Sequence, residues 1–496
     1  MFRAVKNPTF HDAVEKLNST QTGFKIVEER RRCPRLWEPF ALEQMRQWLR
    51  RIGHSTADLN RLNVVHVAGT KGKGTTCAYV NSILHQYHKS VGRPHKIGLY
   101  TSPHLVTVRE RIGINSEPIS EEQFTKYFFE VWDALESSAL VEGHDPAFKP
   151  PYFRFLTLMS FHVFLREGVD AAIYEVGVGG EYDATNIIEK PAVAGITTLG
   201  FDHVELLGDT IDKIAWHKAG IIKSGCPAFT VDQVPEAMTV VEQRAAENNI
   251  PLTSVKAGPM LMNVNISPAE DFQRNNASLA ISLAATLLKK LGIMCSSDLE
   301  PLPMQFVQGL ENLSLRGRCE IIQHDRQHWY LDGAHTEQSL EAACSWFGKI
   351  SQTKNATRVL IFNQQSARDS FALLKTVHHT LYDKLKLPFQ HVIFCTNITF
   401  RRKGYKVDFD NHNVDPDALR NLTLQRQLAE VWRELDPTSI EVAALSSIEE
   451  AIDYVSKIDD GSGEVQTLIT GSFHLVGGAI SILESWNLSP NNTRAK

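Results

Sequence analysis

From Val64 to Thr76 the chain reads Val-Val-His-Val-Ala-Gly-Thr-Lys-Gly-Lys-Gly-Thr-Thr. An apolar run enters a glycine-rich loop, and a helix-forming segment follows. Glycines let backbone N–H groups turn toward phosphate oxygens, and a helix N-terminus adds partial positive charge. Gly69, Thr70, Lys71, Gly72 and Gly74 form the loop. Lys73 reaches terminal phosphates, and Thr75 or Thr76 supplies a hydroxyl for phosphate or metal. The spacing departs from GxxxxGK[ST], because Gly74 stands between the lysine and the threonine.

Other segments carry candidate chemistry. Tyr100-Thr-Ser-Pro-His-Leu105 sets a hydroxyl pair before proline, which is either a plain turn or a loop suited to face a nucleotide. In Tyr174-Glu-Val-Gly-Val-Gly-Gly-Glu-Tyr-Asp-Ala-Thr-Asn186, Glu175 falls at a strand end, where ligands of parallel sheets bind. A carboxylate there suits Mg²⁺, which prefers oxygen donors and substrate phosphates. In Gly200-Phe-Asp-His203 and Trp216-His-Lys-Ala-Gly220, spacing alone leaves His203 and Lys218 open as functional or as ordinary residues. Arg318 in Leu315-Arg-Gly-Arg318 suits phosphate or adenine, and Asp332 in Leu331-Asp-Gly-Ala-His335 suits a ribose or a metal-bound water. Thr470-Gly-Ser-Phe-His-Leu-Val-Gly477 is either a small-anion site or a plain turn.

These residues need elements to hold them. Apolar spacing predicts helices over Phe10–Gln21, Leu42–Ile52, Thr75–His85 and Phe153–Glu167. Short apolar runs predict strands at Leu62–Ala68, Ile97–Tyr100, Ala171–Val176, Ala192–Leu199 and Ala228–Val231. Alternation of this kind indicates an α/β fold with a parallel sheet covered on both faces. Asp298–Arg318, with Pro301, Pro303 and Gly317, reads as a domain boundary. The alternation then restarts, with strands at Trp329–Asp332, Arg358–Asn363, His391–Thr396 and Gln466–Thr470 and helices at Ser339–Phe347 and Leu419–Leu435. Phe400–Asp415 reads as a loop, and the tail after Ser489 as frayed.

Composition bounds the rest. A chain of 496 residues implies two domains. A net charge of −5 argues against a nucleic-acid-binding body. Seven dispersed cysteines without a CxxC pair fit reduced thiols better than a disulfide framework or a zinc site. No run approaches the roughly 18 apolar residues of a membrane span. Met1–Thr20 has no signal-peptide core, and Asp12 and Glu15 interrupt its basic residues. A cytoplasmic protein is expected, with a mitochondrial form left open.

Taken in order, the GTKGKGT loop, TSPHL, the Glu175–Asn186 block, Asp202-His203, His-Lys-Ala-Gly-Ile, the Arg-Gly-Arg linker and Asp-Gly-Ala-His-Thr resemble the folylpolyglutamate and dihydrofolate synthase family, relatives of the Mur ligases. The resemblance spans nearly the whole chain. It implies a P-loop NTPase-like domain over 1–314 and a smaller Rossmann-like domain over 315–496, with ATP between them. It implies Lys73 for phosphate, Ser102, Glu175 and His203 for magnesium at two sites, and a carbamylated Lys218, with potassium as a further cation. Asn276, Arg318 and Asp332 match the nucleotide set, and His335 lies near the reaction centre. Ser472 and His474 fall near the incoming glutamate. The implied reaction is ATP-driven ligation of L-glutamate to a folate γ-carboxylate through an acyl phosphate, by a monomer without nucleic acid or membrane partners.

The chain departs from the family pattern at Lys71, Glu181, Thr336 and the neighbours of Arg318. Lys71 and Thr336 resemble the eukaryotic polyglutamate enzymes. Glu181 stands where bacterial relatives often carry a basic residue. Dihydrofolate synthase activity and a P-loop phosphotransferase are the alternatives.

Overall fold

Short apolar runs become the strands of two separate sheets. The computed structural model describes residues 8–32, 40–268, 270–295, 299–351, 356–365, 369–402, 407–409, 412–458 and 463–487. Contacts divide the chain into one unit of Met1–His104 with Arg109–Ser314 and another of Leu105–Val108 with Leu315–Lys496.

The first unit holds β1 (Val65–Ala68), β2 (Ile97–Tyr100), β3 (Ile112–Ile114), β4 (Glu117–Pro118), β5 (Ala171–Glu175), β6 (Val193–Ile196), β7 (Ala228–Val231) and β8 (Leu252–Val255). Their order is β4-β3-β2-β5-β1-β6-β7-β8. All pairings are parallel except those that add β3 and β4 at one edge. Every residue of β1, β5 and β6 is buried, as strands covered on both faces require. Register aligns Tyr100 with Tyr174, Val67 with Glu175 and Ala68 with Ile196. The carboxyl ends of β2, β5, β1 and β6 therefore finish level and deliver their loops to one edge.

The helix Lys73–Val91 covers one face, beside the helices Asp271–Lys290 and Met304–Glu311. Asp271–Lys290 buries Ala277, Ala280, Leu283, Ala284 and Leu287, a three-and-four spacing that drives it onto the sheet. Met304–Glu311 lies in the stretch expected to be an irregular boundary. Phe306 and Leu310 instead join the core of Val80 and Ile83. At Gly309 an added Cβ would stand 2.7 Å from Ile83 Cα, so the two helices touch at backbone distance. Spacing rather than composition decides this segment: apolar residues at 306 and 310 share one helical face.

The second unit holds β9 (Glu320–His324), β10 (Gln327–Asp332), β11 (Thr357–Phe362), β12 (His391–Cys395), β13 (Glu441–Leu445) and β14 (Val465–Thr470), in the order β13-β12-β11-β14-β10-β9. Only β9 is antiparallel to its neighbour. Leu105 enters an apolar cluster with Val476 and Ala479. The Asp408 carboxylate accepts from Thr107 Oγ1 (3.1 Å) and Val108 N (2.8 Å).

The helix expected over Leu419–Leu435 is two helices, Pro416–Asn421 and Thr423–Leu435. They part at Leu422, whose φ of 52° is left-handed and breaks the α-helical run. Within the expected loop Phe400–Asp415, Val407–Phe409 forms a short 3₁₀ turn, while 403–406 and 410–411 lie outside the described residues. The tail after Ser489 also lies outside them. Among the described residues no helix is long and apolar enough to cross a membrane.

Candidate functional site

Gly72 begins the helix Lys73–Val91 at φ 87°, and Gly69 has φ 148°. A Cβ on Gly72 would lie 2.2 Å from Asn276 Oδ1, and one on Gly69 would lie 1.8 Å from Thr197 Oγ1. The loop is thus pressed between the end of β6 and the helix Asp271–Lys290, and glycine alone fits both positions. Thr198 O accepts from Thr70 N (3.0 Å) and Lys71 N (3.1 Å). Thr70 Oγ1 donates to Gly200 O (3.0 Å) and accepts from Gly200 N (3.1 Å). These bonds fasten the loop. The first backbone bond of the helix runs from Thr76 N to Gly72 O (2.8 Å), leaving the N–H groups of Lys73, Gly74 and Thr75 without a backbone acceptor. Three free donors at a helix N-terminus form an anion site.

Two cations meet at this loop. Gly69 O accepts from Lys73 Nζ (3.1 Å) and from Lys218 Nζ (2.8 Å). Lys218 is 3% exposed, and burial, then the neighbouring Lys73, pushes its pKa down to about 7. Like charges held together in a poorly solvated place favour an anion beside them. His203 occupies a left-handed position (φ 50°), 3.8 Å from both Asp202 Oδ2 and Glu205 Oε1. Burial lowers its pKa. Asp202 and Glu205 oppose that, while the charges of Lys218 and Lys73 add to it.

Glu175 ends β5, buried, and its Oε2 accepts from Ser102 N at 3.0 Å. A Cβ on Gly74 would sit 3.5 Å from Glu175 Oε1, so the carboxylate lies against the start of the helix. The Thr76 hydroxyl is buried without a partner, and Thr75 is the partly exposed one. Among the described residues no three His, Cys, Asp or Glu side chains gather for a metal. The carboxylate of Glu175 with the hydroxyls of Ser102 and Thr75 nonetheless fits magnesium, which binds through few protein oxygens and completes its shell with phosphate and water.

Behind Glu175 the glycine-rich block is scaffold. Asp183 accepts from Val178 N (3.1 Å), Thr185 N (3.0 Å) and Thr185 Oγ1 (2.6 Å). Asn186 Nδ2 donates to Glu181 O (2.8 Å) and Gly220 O (3.2 Å). Glu181 forms an ion pair with Arg244, whose guanidinium lies 4.8 Å from the Trp216 ring centroid. This arrangement fastens the helix Ile211–Ala219, and with it Lys218.

His66 in β1 belongs to the same scaffold. Thr185 gives its proton to Asp183, so its lone pair accepts from His66 Nε2 (2.8 Å), while His66 Nδ1 has no partner. Complete burial pushes the His66 pKa down to about 3. Below the unfolded value near 6.5 the unfolded chain binds a proton that the folded chain refuses, so stability is lost as pH falls from about 6.5 toward 3. The expected loss from this residue is about 2 kcal/mol at pH 5. Urea midpoints of the wild type and His66→Gln between pH 7.5 and 5 check it; a gap between the two that stays constant with pH contradicts it.

In the second unit, Asp332 ends β10 and accepts from Cys319 N and Ala334 N, both at 2.9 Å. Arg318 Nη1 lies 3.7 Å from Asp332 Oδ1, and its guanidinium 5.0 Å from the Phe473 ring centroid. His335 Nδ1 donates to Gly333 O (2.8 Å), which leaves Nε2 as the acceptor. Gly471 N donates to Ala334 O (3.0 Å), joining the turn of His335 to that of Ser472 and His474. Adjacent strands β10 and β14, in register at Asp332 and Thr470, bring these five residues to one edge. The structure thus forms one set in each unit. Sequence reasoning missed the anchors Thr197 and Thr198, which show no motif of their own.

No family model matches the chain. It is 52% identical over 484 residues to a folylpolyglutamate synthase of Neurospora crassa, covering 96% of this chain and 92% of the relative. It is 44% identical over 496 residues to the folylpolyglutamate synthase of Saccharomyces cerevisiae, covering 97% and 89%. Its fold is similar to the apo form of L. casei FPGS, with a TM-score of 0.70, 23% identity, and coverage of 96% and 100%.

Proposed function

The chain belongs to the folylpolyglutamate synthase family, and on that premise we infer that it joins L-glutamate to the γ-carboxylate of a folate in an ATP-driven reaction. The observation that carries this reading is the helix start at Lys73–Thr75, with three free N–H groups and two lysines on the carbonyl of Gly69.

A carboxylate is a poor acyl donor because oxide is a poor leaving group. Transfer of the γ-phosphoryl group of ATP to the carboxylate replaces oxide with phosphate. The free N–H groups hold the phosphates, and Lys73, half-exposed on one hydrogen bond, is free to turn to the oxygens that gain charge. Magnesium, held by Glu175 with the hydroxyls of Ser102 and Thr75, would add charge neutralisation there, and His203 is assigned to a further magnesium. The amine of L-glutamate then attacks the acyl carbon, phosphate departs, and a γ-amide remains. Arg318 and Asp332 are assigned to the nucleotide, together with Asn276 against Gly72. His335 is assigned to the reacting groups, its ring oriented by the hydrogen bond from Nδ1 to Gly333 O. Ser472 and His474 are assigned to the incoming amino acid.

Lys218 carries a separate part of the proposal. An amine with a pKa near 7 is substantially neutral at physiological pH, so its nitrogen can attack carbon dioxide. A proton leaves and a carbamate forms, replacing one of two crowded cations with an anion beside Lys73.

Incorporation of labelled L-glutamate by the purified chain with ATP and magnesium tests the reading, with tetrahydrofolate and dihydropteroate as alternative acceptors. Extension of tetrahydrofolate alone is expected. Activity on dihydropteroate would move the assignment to a dihydrofolate synthase, and ADP release independent of glutamate would move it to a phosphotransferase.

A further inference from the structure

Arg111 is a buried cation that forms no ion pair among the described residues. It directly precedes β3 and is 8% exposed. Its Nε donates to His104 Nδ1 at 2.9 Å, so His104 keeps its own proton on Nε2 and is uncharged. Its guanidinium lies 5.6 Å from the Tyr152 ring centroid. Among the described residues no carboxylate pairs with it, and its Nη groups have no acceptor. A guanidinium does not shed its proton to escape burial. A buried charge of this kind is kept where a partner compensates it.

Its place says which partner. Thr101 N donates to Arg111 O (3.2 Å), and β2 pairs with β3 through Tyr100 and Ile112. Arg111 therefore stands beside the turn that carries Ser102, whose N–H is held by Glu175. In the order β3-β2-β5-β1, Glu175 on β5 separates Arg111 from the phosphate loop that follows β1. The phosphates are met by Lys73 and the helix start, so Arg111 is on the side of the carboxylate substrate. The terminal glutamyl residue of a folate bears two carboxylates, the γ group that is phosphorylated and an α group that is not.

We propose that Arg111, oriented by His104, binds the α-carboxylate of the terminal glutamyl residue of the folate acceptor. This rests on the reaction inferred above. A bidentate fork on the α-carboxylate fixes which of the two acids faces the phosphate, and so selects γ-linkage. His104 is a positioning residue.

The test compares folate with an analogue ending in 4-aminobutyrate, which keeps the reacting carboxylate and lacks the other. Wild type, Arg111→Gln and Arg111→Lys are assayed for kcat and KM on both acceptors and on ATP. Loss of the α-carboxylate is expected to raise the wild-type acceptor KM roughly tenfold or more. Arg111→Gln is expected to raise the folate KM similarly, to discriminate little between the two acceptors, and to leave the ATP KM unchanged. Equal discrimination in wild type and Arg111→Gln overturns the proposal, as does a rise confined to the ATP KM. Arg111→Lys keeps the charge should the glutamine variant not fold; partial discrimination is expected, and the full wild-type ratio overturns the role of the fork. If the wild type extends no folate, the reaction itself fails. Equilibrium folate binding by wild type and Arg111→Gln then decides the contact separately: weaker binding by the variant supports it and equal affinity overturns it.

Discussion

Lys73→Ala is expected to lower glutamate-dependent turnover about a thousandfold while leaving the fold intact. Lys73 is half-exposed and makes one hydrogen bond, to Gly69 O, so little packing is lost with it. Its charge also repels Lys218, and its removal relieves that repulsion. The effect falls on the chemical step, because the ammonium matters most when negative charge accumulates on the transferred phosphoryl group. Single-turnover measurement of phosphate formation, beside a thermal melt, checks both halves. Turnover near the wild-type rate in a folded variant contradicts the assignment of the loop.

Substitution at Lys218 is expected to cost roughly a hundredfold or more in turnover if its carbamate is the working form. The pH sign follows from the lowered pKa. The neutral amine that reacts with carbon dioxide predominates above about 7 and is depleted below it. Activity is therefore expected to rise with pH through about 7, and to fall in carbonate-free buffer with recovery when bicarbonate is restored. Lys218→Arg keeps a cation but forms no carbamate, and is expected to be inactive at every bicarbonate concentration. An active Lys218→Arg variant, or a wild type indifferent to bicarbonate, contradicts the carbamate. The like-charge crowding of Lys73 and Lys218 on Gly69 O is the physical reason to expect it.

Much of the glycine-rich loop was legible because its residues are local in sequence. Strand, glycines, lysine and hydroxyls occur in one run; the helix expected from Thr75 starts at Lys73, with Gly72 as its cap. Glu175 was legible for the same reason, as the last residue of an apolar strand. Elements whose cause is distant were not. Met304–Glu311 looks irregular until Phe306 and Leu310 are seen in the core of Ile83. Leu422 gives no local sign of a left-handed conformation. Arg111 in Val-Arg-Glu-Arg-Ile reads as one of several charged surface residues, and its burial appears only once β2 and β3 pair. The anchors of the loop at Thr197–Gly200 are likewise visible only after β6 is laid beside β1. The likeness to a family supplied Asn276; in the structure its amide closes on Gly72, where no side chain fits.

The most direct test of the account follows an oxygen atom. A folate labelled with ¹⁸O in its γ-carboxylate, incubated with the chain, ATP, magnesium and L-glutamate, is predicted to pass one labelled oxygen to the inorganic phosphate for each amide formed. Phosphate free of label, formed in step with the amide, would contradict an acyl phosphate as the route.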